Sequence, residues 1–557
     1  MHNDLAFPTL SDEQIDRLRV HGEEEETSAG DYLFRQGDES YDFYVLLAGE
    51  AEIVEEVDED ADGECEERVL AAHGAGRFLG EMNLLTGQAV YLSARVSEAG
   101  AVLRLDREAL RQVIADDPEL SELILNAFLA RRTILLEGNV SGLRLLGSRY
   151  SRDTARLREF ALRNRLPHTW VDLEDDPEGE ALLRGFGLSP CDTPLVVWGK
   201  TVLKNPSNAE LAQAVGLDTA RISGFLYDLL VVGAGPAGLA AAVYAASEGL
   251  RTVALDSVAV GGQAGTSSRI ENYLGFPAGL SGAELASRAA VQAEKFGALL
   301  SVPRTAVALS CEAIGDGGLT PGCIHVVELD DGSTVEARAV VVATGARYRR
   351  LEVDRREEME GTSIFYAATE MEGEVCRDCD AVVVGGGNSA GQACLFLAER
   401  ASRVYLVVRG DDLGESMSRY LVERIESSER IEVLVRTEVR ELLGDGVVEA
   451  VVVEDGESGE RRELACKGLF TFIGAEPHTE WLQGTLALDG EGFVKTGPQL
   501  GNGHWQRGDR APHLLETSLP GVFAAGDVRS GAVKRVASAV GEGSIAVKFV
   551  HEYLARG

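Results

Sequence analysis

Hydrophobic and polar positions along this chain form distinct patterns, and each pattern predicts a different kind of element. From Leu10 to about Leu136, short β-type runs broken by Gly and Asp precede two helical stretches, Arg107 to Asp116 and Glu119 to Leu136. This order predicts a β-roll followed by helices. Further on, the aliphatic runs Leu229–Val232 and Ala381–Val384 predict buried strands, and each leads through a glycine turn into a stretch of small residues that reads as a helix.

Both glycine turns have the composition of dinucleotide-binding fingerprints. Glycine suits such a turn because the turn is tight, because backbone must approach a pyrophosphate closely, and because the following helix offers N–H groups and a positive dipole end. Two turns in matching contexts predict two dinucleotides and electron transfer between two cofactors. The residues expected at the first turn are Gly233, Gly235, Pro236, Ala237 and Gly238, and those at the second are Gly385, Gly387, Asn388, Ser389 and Ala390.

The residue that ends the second strand of each unit distinguishes the two sites. An acid there binds the 2′-hydroxyl of an adenosine ribose, whereas a base accommodates a 2′-phosphate. Asp256 ends the first unit and suits FAD. Arg409 ends the second unit and favours NADPH, with NADH as the alternative because Asp411 and Asp412 follow closely.

Length, charge and cysteine content limit the remaining functions. A chain of 557 residues has room for three or four domains, and no apolar stretch is long enough to predict a transmembrane helix. A formal net charge of -38 repels nucleic acid and anionic lipid, so neither is expected as a partner. The start of the chain lacks a signal region, which favours the cytoplasm. Eight scattered cysteines do not form a secreted disulfide framework, and no metal site is expected.

The N-terminal region resembles the cyclic nucleotide-binding domain family, with limits of 1–140. The resemblance rests on segments 34–38, 43–50 and 78–85, the last of which matches the phosphate-binding cassette of that family. Such a cassette implies that Gly80 and Glu81 begin a short helix that holds a cyclic phosphate and its ribose.

The arginine that neutralises the phosphate in that family is not at its expected place. Leu92 occupies that position, and Arg95 is expected to point to the other face of a strand. A phosphate without a compensating charge would bind weakly, so a fold kept for docking or dimerisation is favoured over nucleotide binding.

The stretch 143–217 predicts the order strand, helix, strand, helix, strand, strand, helix. It is similar to a thioredoxin-like or glutaredoxin-like α/β unit, and Thr193-Pro194 looks like the cis-proline of that family. Where the family carries its cysteine pair, this chain has Ser151-Arg152-Asp153-Thr154. A hydroxyl cannot replace a thiol in disulfide exchange, so the module is expected to be a docking or spacer domain.

From Tyr227 to the C-terminus the chain resembles the low-molecular-weight thioredoxin reductases. The resemblance implies an FAD domain in two segments, 224–346 and 471–557, an NADPH domain, 347–470, inserted between them, and a homodimer. The fold class is then multidomain α/β with two Rossmann-like domains. Family motifs add the flavin contacts Gly262, Gln263, Asn272, Thr344, Gly345, Gly526, Asp527, Arg535, Val536 and Ala537.

The third element of that family, a Cys-x-x-Cys pair followed by an acid, is absent from its expected place. Tyr366 and Thr369 stand where the cysteines belong, and Glu370 stands where the acid belongs. Cys376 and Cys379 alone have redox spacing and are the alternative pair. The acids around these two cysteines would raise their thiol pKa, which is unfavourable for a nucleophile.

The leading hypothesis is an FAD-dependent NAD(P)H oxidoreductase that delivers electrons to a small-molecule or protein acceptor other than its own cysteine pair. A ferredoxin, a flavodoxin, a quinone, oxygen or a protein disulfide would qualify. Two alternatives stay open: a redox or nucleotide sensor with little turnover, and a disulfide reductase that uses Cys376 and Cys379.

Overall fold

The computed structural model describes most of the chain. The described residues are 5–38, 40–57, 66–86, 89–137, 142–174, 183, 188–189, 192–198, 201–217, 222–267, 269–312, 323–501, 505 and 510–555. None of the helices in these ranges combines the length and the hydropathy needed to cross a bilayer.

The N-terminal part is an antiparallel roll closed by helices. Its elements are α1 (Asp12–Arg19), β1 (Glu23–Thr27), β2 (Tyr32–Phe34), β3 (Phe43–Val57), β4 (Glu66–Gly74), β5 (Phe78–Leu79), α2 (Asn83–Thr86), β6 (Ser93–Leu105), α3 (Arg107–Asp116) and α4 (Pro118–Glu137). The sheet order is β1-β6-β3-β4, and α3 and α4 pack Leu110, Ile124 and Phe128 against Phe43 and Phe78. The roll and its two helices are confirmed, with helix ends within one residue of prediction.

A four-stranded sheet follows. Its elements are β7 (Leu143–Gly147), α5 (Arg152–Arg163), β8 (His168–Asp172), β9 (Leu195–Trp198), β10 (Thr201–Lys204) and α6 (Asn208–Ala214), in the sheet order β10-β9-β7-β8. The helix predicted between β8 and β9 falls largely outside the described residues. The Thr193–Pro194 peptide bond is cis, as the sequence predicts, and a Cβ at Gly147 would press on both Pro194 and Thr154. The thioredoxin-like identity of this module stays a prediction.

The next unit is a parallel sheet with an antiparallel extension. Its elements are β11 (Leu226–Val232), α7 (Pro236–Ser247), β12 (Thr252–Leu255), α8 (Gly282–Lys295), β13 (Leu299–Ser301), β14 (Ala306–Glu312), β15 (Ile324–Leu329), β16 (Thr334–Val342) and β17 (Ala346–Tyr348). The sheet order is β13-β12-β11-β16-β15-β14. Aliphatic residues that are buried on both faces fill β11 and β12, as expected for central parallel strands.

A second parallel sheet is inserted after β17. Its elements are α9 (Arg356–Met359), β18 (Ile364–Phe365), α10 (Glu370–Val375), β19 (Asp380–Val384), α11 (Asn388–Ala398), β20 (Arg403–Val407), α12 (Arg419–Glu426), β21 (Ile431–Leu434), β22 (Thr437–Leu443), β23 (Ala450–Asp455), β24 (Arg461–Ala465) and β25 (Gly468–Thr471). The parallel order is β18-β25-β19-β20-β21, and β22, β23 and β24 form a separate antiparallel sheet.

The chain then returns to the first parallel sheet through β26 (Ala475–Pro477), β27 (Val522–Ala524) and α13 (Val536–Leu554). β27 pairs in parallel with β16, so two distant sequence segments share one sheet. Small residues let α13 approach α7 closely, because Gly543 faces the carbonyl of Ala237 with no room for a Cβ. The multidomain α/β class is confirmed; the residue limits of the domains stay predictions.

The N-terminal units pack directly on the first parallel sheet unit. Val291 of α8 belongs to the same hydrophobic cluster as Phe128, and the Lys295 ammonium donates to Ser121 Oγ at 2.8 Å. From the second module, the Asn164 amide donates to the Val258 carbonyl at 3.0 Å. These contacts place the N-terminal units beside the loops of the parallel sheet.

Candidate functional site

The first glycine turn joins β11 to α7 and has the geometry of a pyrophosphate cradle. Gly233 has a φ of 106°, and a Cβ there would collide with the Ala343 carbonyl. Gly235 caps α7 without a side-chain hydrogen bond, so the first helical N–H groups point at whatever occupies the turn. A Cβ at Gly238 would collide with the Gly233 carbonyl, which explains the third glycine. Ala237 is buried and therefore packs the helix onto its neighbours.

Asp256 holds this cradle together. Its carboxylate accepts hydrogen bonds from the backbone N–H groups of Ala234 at 3.0 Å, Val258 at 3.1 Å and Ala259 at 3.2 Å. A cavity of about 260 Å³ opens beside it, at the carboxyl ends of β11 and β12, and Trp481 is among its lining residues. Ligands of open α/β sheets bind at this edge, so the cavity fits an adenosine moiety.

The remaining predicted flavin residues lie on three loops near the turn. Gly262 has a φ of 53° and faces Gly235, and Gln263 donates its amide to the Ala346 carbonyl. Thr344 Oγ1 donates to the His478 carbonyl at 2.9 Å, and Gly345 has a φ of 66°. Asn272 is exposed on a loop.

The C-terminal segment supplies two further features. Gly526 has a φ of 77° and a Cβ there would press on Ala237, which brings the segment onto α7. Asp527 is half-buried without a hydrogen-bond or ion-pair partner among the described residues, and burial raises its pKa. Arg535 caps α13 without a side-chain hydrogen bond, which leaves the N–H groups of Val536 and Ala537 facing out of the helix.

The second glycine turn joins β19 to α11 in the same way. A Cβ at Gly385, where φ is 144°, would collide with the Phe472 carbonyl, and Gly387 caps α11 without a side-chain hydrogen bond. The side-chain oxygen of Asn388 accepts from the Ser418 N–H at 2.6 Å. Ser389 is exposed, whereas Ala390 is fully buried in the core, and the roles of these three residues at a dinucleotide stay predictions.

Arg409 is exposed after β20 and has no ion-pair partner in the part of the chain that the structure describes. The two acids that follow it are otherwise engaged. Asp412 accepts from the Gly414 N–H at 2.9 Å, and Asp411 lies 4.0 Å from the Arg436 guanidinium. Arg409 is therefore available to an anionic group at this edge of the sheet.

Residues 227–543 match the family model described as pyridine nucleotide-disulphide oxidoreductase. The chain belongs to this family. Residues 24–117 match the cyclic nucleotide-binding domain model. The chain is 34% identical to a thioredoxin reductase of Mycolicibacterium smegmatis over 330 residues, which are 59% of this chain and 97% of the relative. It is 31% identical to a "34.2 kDa protein in rubredoxin operon" of Clostridium pasteurianum over 59% of this chain and 97% of that protein.

Solved structures are similar over the same half. The crystal structure of Lactococcus lactis thioredoxin reductase matches with a TM-score of 0.52 and 27% identity, over 59% of this chain and all of that chain. Thioredoxin reductase of T. acidophilum matches with a TM-score of 0.51 and 29% identity, over 59% and 98% of the two chains. This pyridine nucleotide-disulphide oxidoreductase is an FAD-dependent NAD(P)H oxidoreductase with a cyclic nucleotide-binding domain at its N-terminus.

The segment in which the family resemblance predicts a cysteine pair has two structural roles in this chain. The ring of Tyr366 stacks on Tyr348, with centroids 6.3 Å apart and planes inclined by 9°. Burial and then the neighbouring Glu360 carboxylate raise the pKa of Tyr366. Thr369 precedes α10, and the Glu372 carboxylate accepts from its N–H at 2.8 Å and from its hydroxyl.

The candidate acid and cysteines lie elsewhere. Glu370 begins α10, and its side chain is outside the described set. Cys376 is fully buried, and burial raises its pKa to about 12. Cys379 precedes β19, so both cysteines lie at the amino end of a strand whose carboxyl end carries the glycine turn. Five strand residues separate the two edges by roughly 16 Å.

Two arginine side chains of α4 contact the residues of the predicted cyclic-nucleotide cassette. Glu81 forms an ion pair with Arg132 of α4 at 3.0 Å, and the two side chains are 13% and 5% exposed. The Gly80 carbonyl accepts from Arg131 at 2.5 Å. Arg95 lies on the other face, as predicted, where it pairs with Glu52 at 2.9 Å.

The segment that follows the cassette, residues 89–91, lies against the core of the next module. The Ala89 N–H donates to the Val215 carbonyl at 3.1 Å, and Tyr91 meets Trp198 edge to face with ring centroids 5.4 Å apart. Tyr91 is 2% exposed. These contacts make the segment after the cassette a docking surface.

A cavity of about 770 Å³ lies where the four units meet. Its lining residues include Arg132, Arg165 and Trp170 from the N-terminal units, Ser267 from the first parallel sheet unit, and Thr369 from the inserted unit. Three residues with roles described above were absent from the sequence prediction. Tyr348 stacks on Tyr366, Arg132 pairs with Glu81, and Glu372 caps Thr369. Only Glu372 has a sequence signal, the T-x-x-E spacing of a helix-capping box after Thr369.

Proposed function

We propose that this oxidoreductase takes hydride from NADPH and passes the electrons to a small-molecule acceptor outside the chain, without an internal dithiol. The observation that carries the proposal is that Tyr366 and Thr369 both have structural roles. An aromatic stack and a helix cap occupy the positions that resemble the cysteine pair of thioredoxin reductases.

Cys376 and Cys379 are poor substitutes for that pair. Cys376 packs in a hydrophobic cluster with Phe365 and Phe470, and its sulfur faces Gly468 so closely that a Cβ there would lie 2.5 Å away. A thiolate is the nucleophile in disulfide exchange, and a pKa near 12 leaves almost none at neutral pH. A packing role for Cys376 fits these facts better than a redox role.

The cofactor roles follow from the two edges of the parallel sheets. When bound, FAD supplies the hydride-accepting chemistry and NADPH supplies the hydride. The uncapped N-terminus of α7 and the Gly235–Gly262 passage would hold the FAD pyrophosphate, and Asp527 would orient the ribityl chain. Arg409 would bind the 2′-phosphate that distinguishes NADPH from NADH.

The cavity of about 770 Å³ supports a small molecule as the acceptor. It reaches Thr369 and is walled by the N-terminal units, which cover the approach from that side. Arg158 and Arg165 line it, and their guanidinium groups are partly removed from water, so an acceptor with an anionic group would be favoured. The homodimer and the cytoplasmic location stay predictions.

An anaerobic titration with NADPH tests the proposal by counting electrons. A chain that stores electrons only on FAD reaches full reduction near one equivalent of NADPH, whereas an added active disulfide needs about two. We expect one equivalent for the wild type and for the Cys376→Ser/Cys379→Ser variant. A second equivalent that disappears in this variant would establish the disulfide reductase instead.

Turnover separates the enzyme from a sensor. We expect steady NADPH oxidation with menadione or ferricyanide as the acceptor, unchanged in the double serine variant. Tightly bound FAD with negligible turnover for every acceptor tested would contradict the proposal and favour the sensor.

A further inference from the structure

One polar cluster lies on the antiparallel extension of the first parallel sheet, at the far end of β14 and β15 from the adenosine cavity. The Sγ atoms of Cys311 and Cys323 and a ring nitrogen of His325 all lie within 4.8 Å of one another. The structure pairs the two cysteines as a disulfide, whereas the sequence pointed only to Cys376 and Cys379. Of the eleven residues between the paired cysteines, 313–322 lie outside the described ranges.

Strand register brings the three side chains to one face. His325 lies directly opposite Cys311 in the antiparallel pairing of β14 with β15, and directly opposed residues project to the same side. Cys323 precedes His325 by two residues and therefore shares its face. The arrangement follows from the backbone and not from the rotamers of exposed side chains.

Packing alone would favour an aliphatic residue at the position of His325. The same face of β15 continues with Val327 and Leu329, which belong to a hydrophobic cluster. His325 is fully buried, and neither ring nitrogen has a hydrogen-bond partner among the described residues. A buried donor without a partner is destabilising, so a histidine there needs a further interaction.

We propose that Cys311, Cys323 and His325, once the disulfide is reduced, form a binding site for one thiophilic divalent cation of the zinc type. Two thiolates and one imidazole are a ligand set that zinc prefers, with metal–sulfur and metal–nitrogen distances of about 2.3 and 2.0 Å. Such bonds place ligand atoms roughly 3.5–4 Å apart, which is within the 4.8 Å that encloses the three ligand atoms here. A fourth ligand position is left to water or another group.

The disulfide is then the metal-free state of the same site. A phosphine and water reduce it to two thiols and a phosphine oxide. One Zn²⁺ then displaces two protons as the two Zn–S bonds form. A hydroperoxide reoxidises the two thiolates to the disulfide, takes up two protons and becomes an alcohol and water, and the cation is released. Metal occupancy would therefore report the redox state of this strand pair.

The test uses the full chain with FAD bound, in oxidised form and after reduction with a phosphine. Each sample is incubated with zinc chloride, desalted and analysed for metal and protein. We expect about one more zinc per reduced chain than per oxidised chain, and loss of that zinc in Cys311→Ser and His325→Phe. Cys394→Ser, which removes another buried thiol, is the matched control and should retain the zinc. Equal zinc in both redox states, or retention in Cys311→Ser, would overturn the proposal.

Two measurements on the wild type keep the test decisive if a variant fails to fold. Cobalt(II) bound at the reduced site should give a thiolate charge-transfer absorption band, which only sulfur ligands produce. Zinc should also protect Cys311 and Cys323 from alkylation, as mapped by peptide mass spectrometry. Absence of the band together with unprotected cysteines would identify a purely structural disulfide. Neither readout depends on hydride transfer or on the electron acceptor.

Discussion

The rings of Tyr348 and Tyr366 stack across the boundary between the two parallel sheet units. Tyr348 ends β17, three residues after Gly345, and Tyr366 follows β18 in the inserted unit. Burial raises the pKa of Tyr348, and the negative charge of Asp527 raises it further. The stack therefore lies close to Asp527, the residue expected to contact the ribityl chain. An aromatic pair therefore occupies the place where the resemblance to thioredoxin reductases predicts a cysteine pair.

Restoring the cysteine pair should change how many electrons the chain stores. We expect Tyr366→Cys combined with Thr369→Cys to take up about one additional equivalent of NADPH and to reduce an aromatic disulfide such as dithiobisnitrobenzoate. The control is Tyr366→Ser with Thr369→Ser, which disturbs the same contacts without thiols. No gain in a variant that retains FAD would show that these positions do not face the flavin.

Arg409 should determine the preference for NADPH. A charge-assisted contact to a phosphate contributes about 1.5–2 kcal/mol, so Arg409→Ala should raise the KM for NADPH roughly 10- to 30-fold and leave the KM for NADH unchanged. Steady-state kinetics with both nucleotides measures this. Arg419→Ala is the control, because Arg419 is 92% exposed and pairs with Glu423 at 2.9 Å. Equal effects on both nucleotides would place the 2′-phosphate elsewhere.

The ion pair between Glu81 and Arg132 should matter more for stability than for ligand binding. Arg132→Met leaves a buried carboxylate unpaired, which costs about 3–5 kcal/mol of unfolding free energy, and adding Glu81→Gln should recover part of this loss. Urea denaturation of the two variants gives both values.

Calorimetry should detect no binding of cyclic AMP to the wild type. Tight binding of cyclic AMP would show that the cassette opens.

His73 should make the N-terminal roll sensitive to acid. It is 2% exposed, and burial, followed by Arg131 and Arg77, lowers its pKa from 6.5 to about 4. The unfolded chain binds the proton first, so the contribution to stability is complete above pH 6.5, falls as the pH drops towards 4, and is constant below that. The total corresponds to roughly 3 kcal/mol.

His73→Gln removes this titration together with the ring contact to Phe7, whose loss does not depend on pH. The difference in unfolding free energy between wild type and variant should therefore depend on pH only between about 6.5 and 4. Measuring both proteins in parallel cancels the carboxylates that they share. A difference independent of pH would show that His73 has the same pKa in the folded roll and in the unfolded chain.

Local patterns were sufficient for much of the fold. The aliphatic runs before Gly233 and Gly385 predict the strands of both turns, because a parallel strand that is buried on both faces must be apolar throughout. The helices α3 and α4 follow from the spacing of residues such as Leu110 and Phe128 on one face.

Contacts between distant segments were not accessible in this way. Arg132 lies 51 residues from Glu81, and no local rule predicts that a helix after the roll will neutralise the cassette. The facing of Cys311 and His325 depends on the register of two strands joined by a long connection. The Tyr348–Tyr366 stack likewise exists only once the inserted unit has docked.

The burial of Tyr91 and Ala89 beneath the neighbouring module has a consequence for how this domain could change over evolutionary time. A pocket that is covered by another part of the same polypeptide need not bind a cyclic nucleotide. Selection then does not require a charged residue at the position of Leu92. Selection on Ala89 and Tyr91 should instead act on how they pack. Tolerance to substitution in this segment should therefore depend on side-chain volume and not on polarity.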